Sequence, residues 1–197
     1  MRDVRERCAD LPPPLPGPPL QPDTRESAVL VPLFERDGEA RVVLTRRPDT
    51  MVNHRGEIAF PGGKIDPRVD RSPRDAALRE AEEEIGLPRE LVDVIGQLDT
   101  MHTVSGPFLI APFVGLISEP PVLVPDPREV ERVFDVALSE LLGDEVHHQE
   151  RWDLFGEPRA MHFFELADET VWGATGRILA GFLAHLVRVP LIDELWP

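Results

Sequence analysis

The chain has 197 residues, 42% of them hydrophobic, with 21 basic and 36 acidic side chains and a net charge of −15. This length fits one domain with a proper core, and this charge argues against a nucleic-acid backbone or an anionic membrane as partner. A lone cysteine, Cys8, excludes internal disulfides and cysteine-based zinc sites.

In chain order, the start Met1-Arg2-Asp3-Val4-Arg5-Glu6-Arg7 is charged and reads as no signal peptide, and no apolar run nears the roughly 18 residues of a membrane span. A cytoplasmic protein is the simplest expectation. Residues 1–10 read as a short polar helix. Residues 11–22, LPPPLPGPPLQP, exclude helix and central strand and read as an extended strap, with Leu11, Leu15 and Leu20 packed on the body. The expected organisation is an appendage over 1–24, a domain over 25–190 and a tail over 191–197.

Two β-rich runs follow, 27–35 (SAVLVPLFE) and 40–46 (ARVVLTR), joined by the hairpin signal Arg36-Asp37-Gly38-Glu39. Pro32 points to an edge position or a bulge in the first of them. Residues 57–60 form a third, short strand that leads into Gly62-Gly63-Lys64. Glycines there permit close approaches that a side chain would block, and Lys64 is placed to contact a phosphate.

The best-punctuated element is a helix over 73–85. Ser72 is its N-cap, Pro73 suits the first helical position, and Asp75 completes a capping-box pattern. Gly86 fits a left-handed terminal position, Leu87 closes the cap, and Pro88 stops continuation. Ala77, Leu78, Ala81 and Ile85 make one apolar stripe, while Glu80, Glu83 and Glu84 share another arc. Carboxylates so crowded need a positive neighbour: Arg79, a partner's basic group or a divalent cation. Hard oxygen donors without His or Cys suit Mg²⁺ or Mn²⁺.

Beyond the helix, residues 91–101 and 109–118 read as strands flanking a polar loop in which His102, Thr103 and Ser105 are candidate substrate contacts. Residues 119–130, EPPVLVPDPREV, read as an irregular loop, 133–136 as a short strand and 138–142 as a short helix. A β-hairpin is expected over 150–167 and a last, strongly apolar helix over 170–187. His147, His148 and His162 have no third ligand at metal-binding spacing and are expected to be structural or exposed.

The run Arg79-Glu80-Ala81-Glu82-Glu83-Glu84-Ile85-Gly86-Leu87 after Gly62-Gly63 resembles the Nudix box, the signature of hydrolases that cleave a nucleoside diphosphate linked to another group. The match is complete from Arg79 to Leu87. Ahead of it, Gly63 stands sixteen positions before Arg79 rather than fourteen, and Arg71 stands where the first Glu of the pattern belongs. Residues 43–63, VLTRRPDTMVNHRGEIAFPGG, resemble the segment ahead of the box in the coenzyme A diphosphatase branch, with Leu44, Thr45, Arg47, His54, Gly56, Ile58 and Phe60-Pro61-Gly62-Gly63 in step. Pro48 and Val52 depart from it.

The resemblance covers about 27–187 and implies an α/β Nudix fold, a mixed β-sheet between helices. It also implies Mg²⁺- or Mn²⁺-dependent hydrolysis of a pyrophosphate bond in a small-molecule substrate. For CoA the products would be 3′,5′-ADP and 4′-phosphopantetheine; ADP-ribose, NADH, a nucleoside triphosphate, or silent nucleotide binding are the alternatives. Glu80, Glu83 and Glu84 are the implied metal ligands, with Glu129 as a further acid from the later loop. Glu80 and Glu84 are the implied catalytic carboxylates, and Arg79 orients one of them. Arg47, His54, Gly62, Gly63, Lys64, His102 and Ser105 are the implied substrate contacts, and a homodimer is compatible with the family.

Overall fold

A computed structural model of the chain describes residues 1–9, 11, 13–14, 22–50, 55–103, 106–143, 145–154 and 156–188. His54, Ser105, most of the proline-rich strap and the tail over 191–197 lie outside them. The elements in order are α1 (Arg2–Cys8), β1 (Arg25–Arg36), β2 (Glu39–Arg46), β3 (Ile58–Ala59), β4 (Gly62–Lys64), α2 (Pro73–Ile85), β5 (Val92–Gln97), β6 (Met101–His102), β7 (Phe108–Ile117), β8 (Arg132–Ala137), α3 (Leu138–Leu141), β9 (His147–Leu154), β10 (Glu157–Glu165), β11 (Thr170–Val171) and α4 (Gly173–Val187).

The main sheet is mixed, as expected for the α/β class. Strands run β3-β2-β1-β7-β5, with β4 also on β1, β6 on β7 and β8 on β2. Among the described residues only β1 and β7 pair in parallel, from Arg25 opposite Phe108 to Leu33 opposite Leu116.

β1 and β2 pair only between Leu33 and the hairpin at Arg36 and Glu39, and before Leu33 they lie apart. Residues 58–64 fill the opening: β3 pairs with Thr45 and Arg46, and β4 pairs with Ser27, Ala28 and Val29. Pro32 is therefore in a central strand, not at an edge. It falls between the β4 register and the β2 register, where that side of β1 has no ladder to lose.

Side chains alternate across β1, so the sheet has two apolar faces. Ala28, Leu30 and Phe34 pack with Ala76, Ala77, Ala81 and Ile85 of α2. Val31 and Leu33 pack on the other face with Ile178, Leu179 and Phe182 of α4 and with Val4 and Cys8 of α1. The N-terminal helix is thus amphipathic rather than merely polar, and Cys8 is a packing residue, with its thiol pushed up to about 11 by burial. Leu11 of the strap reaches the body at Gly96. Among the described residues no helix is long and apolar enough to cross a membrane.

The expected strand over 91–101 is two strands, β5 and β6, interrupted at residues 98–100. The last helix starts at Gly173, because Thr170 and Val171 pair with Glu165 and Phe164 of β10 first. β9, β10 and β11 make a separate three-stranded sheet.

Gly176 sits where α4 meets that sheet, and an added Cβ would lie 2.5 Å from the His162 carbonyl oxygen. In an exposed helix interior, Gly→Ala gains up to about 1 kcal/mol. Here the backbone contact forces α4 off β10, so Gly176→Ala is expected to lose about 1–3 kcal/mol instead, measured as the shift in the urea unfolding midpoint.

Candidate active site

α2 is held as its sequence dictates. The Ser72 hydroxyl accepts from the Asp75 backbone N–H at 3.1 Å, and Gly86 takes the left-handed conformation at φ 65°. Two carbonyls of the last turn accept from the 119–131 loop: Val124 N–H donates to Ile85 O at 2.9 Å and Asp126 N–H to Glu84 O at 2.8 Å. A turn at Asp126 then carries Glu129 back toward the helix, and Glu131 N–H closes the loop onto Arg46 O at 2.9 Å.

Arg79 is the hub of the helix's polar side. Its guanidinium donates to both oxygens of Asp70 at 2.9 Å, to Lys64 O at 3.2 Å, to Glu80 at 2.9 Å and to Glu83 at 3.0 Å. The Asp70 side chain is only 2% exposed, and the hydrogen bonds it accepts from Arg79 hold its carboxyl below the ordinary range. Asp70 also accepts from Asp66 N–H at 2.8 Å, which folds the preceding loop around it. Arg71 takes no part; it is exposed and pairs with Asp75. The carboxylate that braces Arg79 is therefore one position earlier in the chain than the motif spacing suggests.

The three glutamates occupy different environments. Glu83 is exposed and reaches Arg79 only. Glu80 is half-buried over Gly63, where any Cβ would lie 2.6 Å from its carboxyl carbon; burial pushes its pKa up. Glu84 is 5% exposed and accepts from Gly62 N–H at 3.1 Å. Burial, aided by the charges of Glu80 and Glu129, pushes its pKa up to about 7. Gly62, at φ 154°, passes so close to the backbone of Ala28 and Val29 that only glycine fits.

Glu84, Glu129, Gly62, Gly63, Lys64 and Arg47 line one cavity of about 1400 Å³. His102 lines it as well, from β6. Arg47 carries a buried Nε with no hydrogen-bond partner. Glu80 approaches from below through Gly63, while Glu83 and Arg79 stand outside the lining. His162, buried and in contact with His147 at 2.9 Å, also faces the cavity. Asp70 and the cavity wall formed by Trp152, Arg159, Trp172 and Arg177 escaped the sequence reading. Asp70 had a signal, an acid nine positions before Arg79; Trp172 and Arg177 lie in residues 171–179 (VWGATGRIL), which resemble the closing helix of the coenzyme A diphosphatase branch, while Trp152 and Arg159 come from a hairpin without motif spacing.

Among the described residues, no three His, Cys, Asp or Glu side chains converge on a single metal position. The reason is local: Glu80 and Glu83 both turn onto one Arg79 nitrogen, and Glu84 onto Gly62 N–H. The donor chemistry still fits a hard divalent cation, because Glu84 is raised by desolvation and by two neighbouring carboxylates that a cation would relieve.

Residues 24–168 match the NUDIX domain family. A Photorhabdus laumondii protein described as an uncharacterized Nudix hydrolase, NudL, is 38% identical over 177 residues, covering 89% of this chain and 92% of its own. Nudix hydrolase 22, chloroplastic, of Arabidopsis thaliana is 39% identical over 82% of this chain, which spans 55% of that protein. A MutT/nudix family structure from Enterococcus faecalis shares the fold with TM-score 0.62 at 19% identity, over 90% of this chain and 69% of its own.

Replacing Asp70 by Asn would remove the most buried of the three carboxylates paired with Arg79, leaving Glu80 and Glu83. The expected cost is about 2 kcal/mol, read from chemical unfolding, with loss of the bidentate Asp70–Arg79 pairing visible in a variant structure. A second expectation concerns pH. A raised Glu84 pKa means that between 4.5 and about 7 the folded protein keeps a proton the unfolded chain has released. Stability from this group is therefore fullest below 4.5 and falls as pH rises through 7. In EDTA, Glu84→Gln is expected to remove that decline and gain on the order of 3 kcal/mol over wild type at pH 8, with little difference at pH 4.5.

Proposed function

The chain belongs to the Nudix family, and we propose that it hydrolyses the pyrophosphate linkage of coenzyme A or a CoA derivative, with Mg²⁺ or Mn²⁺ as cofactor. The products are 3′,5′-ADP and 4′-phosphopantetheine or its acylated form. The observation that carries this reading is the unpartnered, buried Nε of Arg47 in the wall of the cavity that holds Glu84. Arg47 belongs to the 43–63 segment that resembles the CoA branch, and a guanidinium suits a diphosphate oxygen in charge and geometry. Lys64 and His102 line the same space.

Glu80, Glu83, Glu84 and Glu129 are the residues that would hold the metal. A divalent ion bound there supplies neutralisation of charge on the diphosphate oxygens. Water attacks one phosphorus in line, the bridging P–O bond breaks, and the water's proton passes to a carboxylate. Glu80 is assigned that proton: burial raises its affinity for it, and Arg79 Nη1, 2.9 Å away, fixes the carboxylate over Gly63. Glu84, held on Gly62 N–H, keeps the 62–63 loop against the helix. Gly63 leaves the room that Glu80 occupies.

A silent nucleotide-binding domain is the second reading. It is favoured by the pairing of Glu80 and Glu83 to Arg79 instead of to a common point.

Product analysis with CoA, ADP-ribose and NADH in Mg²⁺, Mn²⁺ or EDTA separates these. The expected outcome is 3′,5′-ADP from CoA alone, lost in EDTA. Glu84→Gln should lower turnover about a hundredfold or more, and Arg47→Ala should raise KM about tenfold. Cleavage of ADP-ribose or NADH instead would keep the chemistry and discard CoA. A folded protein that cleaves none of them would establish the silent domain.

A further inference from the structure

Part of the cavity wall is aromatic. Trp152 of β9 and Trp172, at the start of α4, both line it. Phe163 of β10 lies parallel to Trp172, with 4° between planes and 6.2 Å between centroids. His148 stacks on Phe163 at 5.2 Å and 10°. Trp152 leans across this stack, 5.9 Å from Trp172 and tilted by 41°. The Trp152 indole N–H donates to Glu150 at 2.7 Å, which fixes the tilt.

Neither tryptophan nor Phe163 belongs to the two apolar clusters that hold the fold together. Trp172 remains 38% exposed. Aromatic surface of this extent, rigid and left out of the core, suits a flat ligand. The same wall carries Arg159 and Arg177. In a chain of net charge −15, the described residues of the cavity lining carry four basic side chains (Arg47, Lys64, Arg159, Arg177) beside three acidic ones (Glu57, Glu84, Glu129). A ligand that uses both the rings and these cations is aromatic and anionic, as a nucleotide is and an aliphatic arm is not. A cavity of about 1400 Å³ exceeds what a drug-sized ligand needs and leaves room for a base as well as a diphosphate.

We propose that Trp152 and Trp172 form the base-binding subsite, stacking the planar base of the nucleoside diphosphate substrate while its phosphates extend toward Glu84. This rests on the reading that the cavity holds a nucleoside diphosphate derivative, but not on the substrate being CoA. The hairpin of β9 and β10 is then a specificity element, and the docking of β11 beside β3 sets its distance from the 62–63 loop.

Tryptophan fluorescence tests it in the full chain. Trp196 is the third tryptophan, so Trp196→Phe leaves the two in the wall. AMP and ribose 5-phosphate differ only in the base. AMP is expected to quench the emission saturably, and ribose 5-phosphate is not. Trp172→Ala should weaken AMP about tenfold, within the range that stacking of one base contributes. Trp172→Phe, which keeps a flat ring and guards against a folding defect, should stay within about threefold of wild type. Equal quenching by ribose 5-phosphate, or unchanged AMP affinity in Trp172→Ala, would overturn the proposal. So would a change of oligomeric state in that variant with AMP affinity intact, since the wall would then be a subunit interface. AMP quenching without CoA hydrolysis would retire the CoA reading and leave the subsite standing; CoA hydrolysis with unaltered KM in Trp172→Ala would do the reverse.

Discussion

The guanidinium of Arg79 is the interaction on which the site depends. It joins three parts of the chain at one point: the loop through Asp70, the β4 backbone at Lys64, and the glutamates of α2. Every donor group of the side chain is used, and the strongest partner is the most buried one, Asp70. A buried pair is an insecure source of stability, because desolvation offsets much of the attraction. Its value here is positional. With five contacts satisfied, neither the loop nor Glu80 can rotate without stranding a charge in a poorly solvated place.

The wedge of residues 58–64 between β1 and β2 is the second constraint. It brings two glycines under α2 at the point where the sheet opens. Gly62 N–H then meets Glu84, and Gly63 leaves space for Glu80. A side chain at either position would push the helix off the sheet and the carboxylates away from the cavity. The apolar stripe of α2 and the polar contacts beneath it thus specify the same docking, which is the agreement between levels that marks a well-determined fold.

Local chemistry made α2 legible in the sequence. Ser72, Pro73, Gly86 and Pro88 fix its ends through rules that act within a few residues, and the structure places the ends at the same positions. The strand pairs were legible for the same reason, since alternation and turn residues are local signals. What was missed depends on pairing between distant segments. β4 is strand only because β1 diverges from β2 and offers it an edge. Thr170 and Val171 carry no helix stop, yet pairing with Phe164 and Glu165 outweighs their helical surroundings. Glu84 was readable as part of an acidic arc, but its burial was not, because that follows from Gly62 and from the 119–131 loop. Asp70 was hidden by a one-residue offset from the motif, and the tryptophan wall because Trp152 and Trp172 come from separate elements that only the tertiary fold brings together.

The 119–131 loop shows how an irregular, proline-rich segment can be as well fixed as a helix. Prolines cannot donate backbone hydrogen bonds, so the few N–H groups that remain carry the attachment. Val124 and Asp126 donate to the carbonyls of Ile85 and Glu84, which a helix end otherwise leaves unpaired. Glu131 donates to Arg46, the residue before Arg47. The side chain of Arg46 also pairs with Glu131 and Asp49. One loop therefore ties the end of α2, which bears Glu84, to the end of β2, which leads into Arg47, and Glu129 lies between these two attachments. The separation between the acidic and the cationic parts of the cavity is set by this strap rather than by the sheet alone. A change that loosened it would shift Glu129 and Arg47 together, while Glu80, braced independently by Arg79 and Asp70, would keep its place.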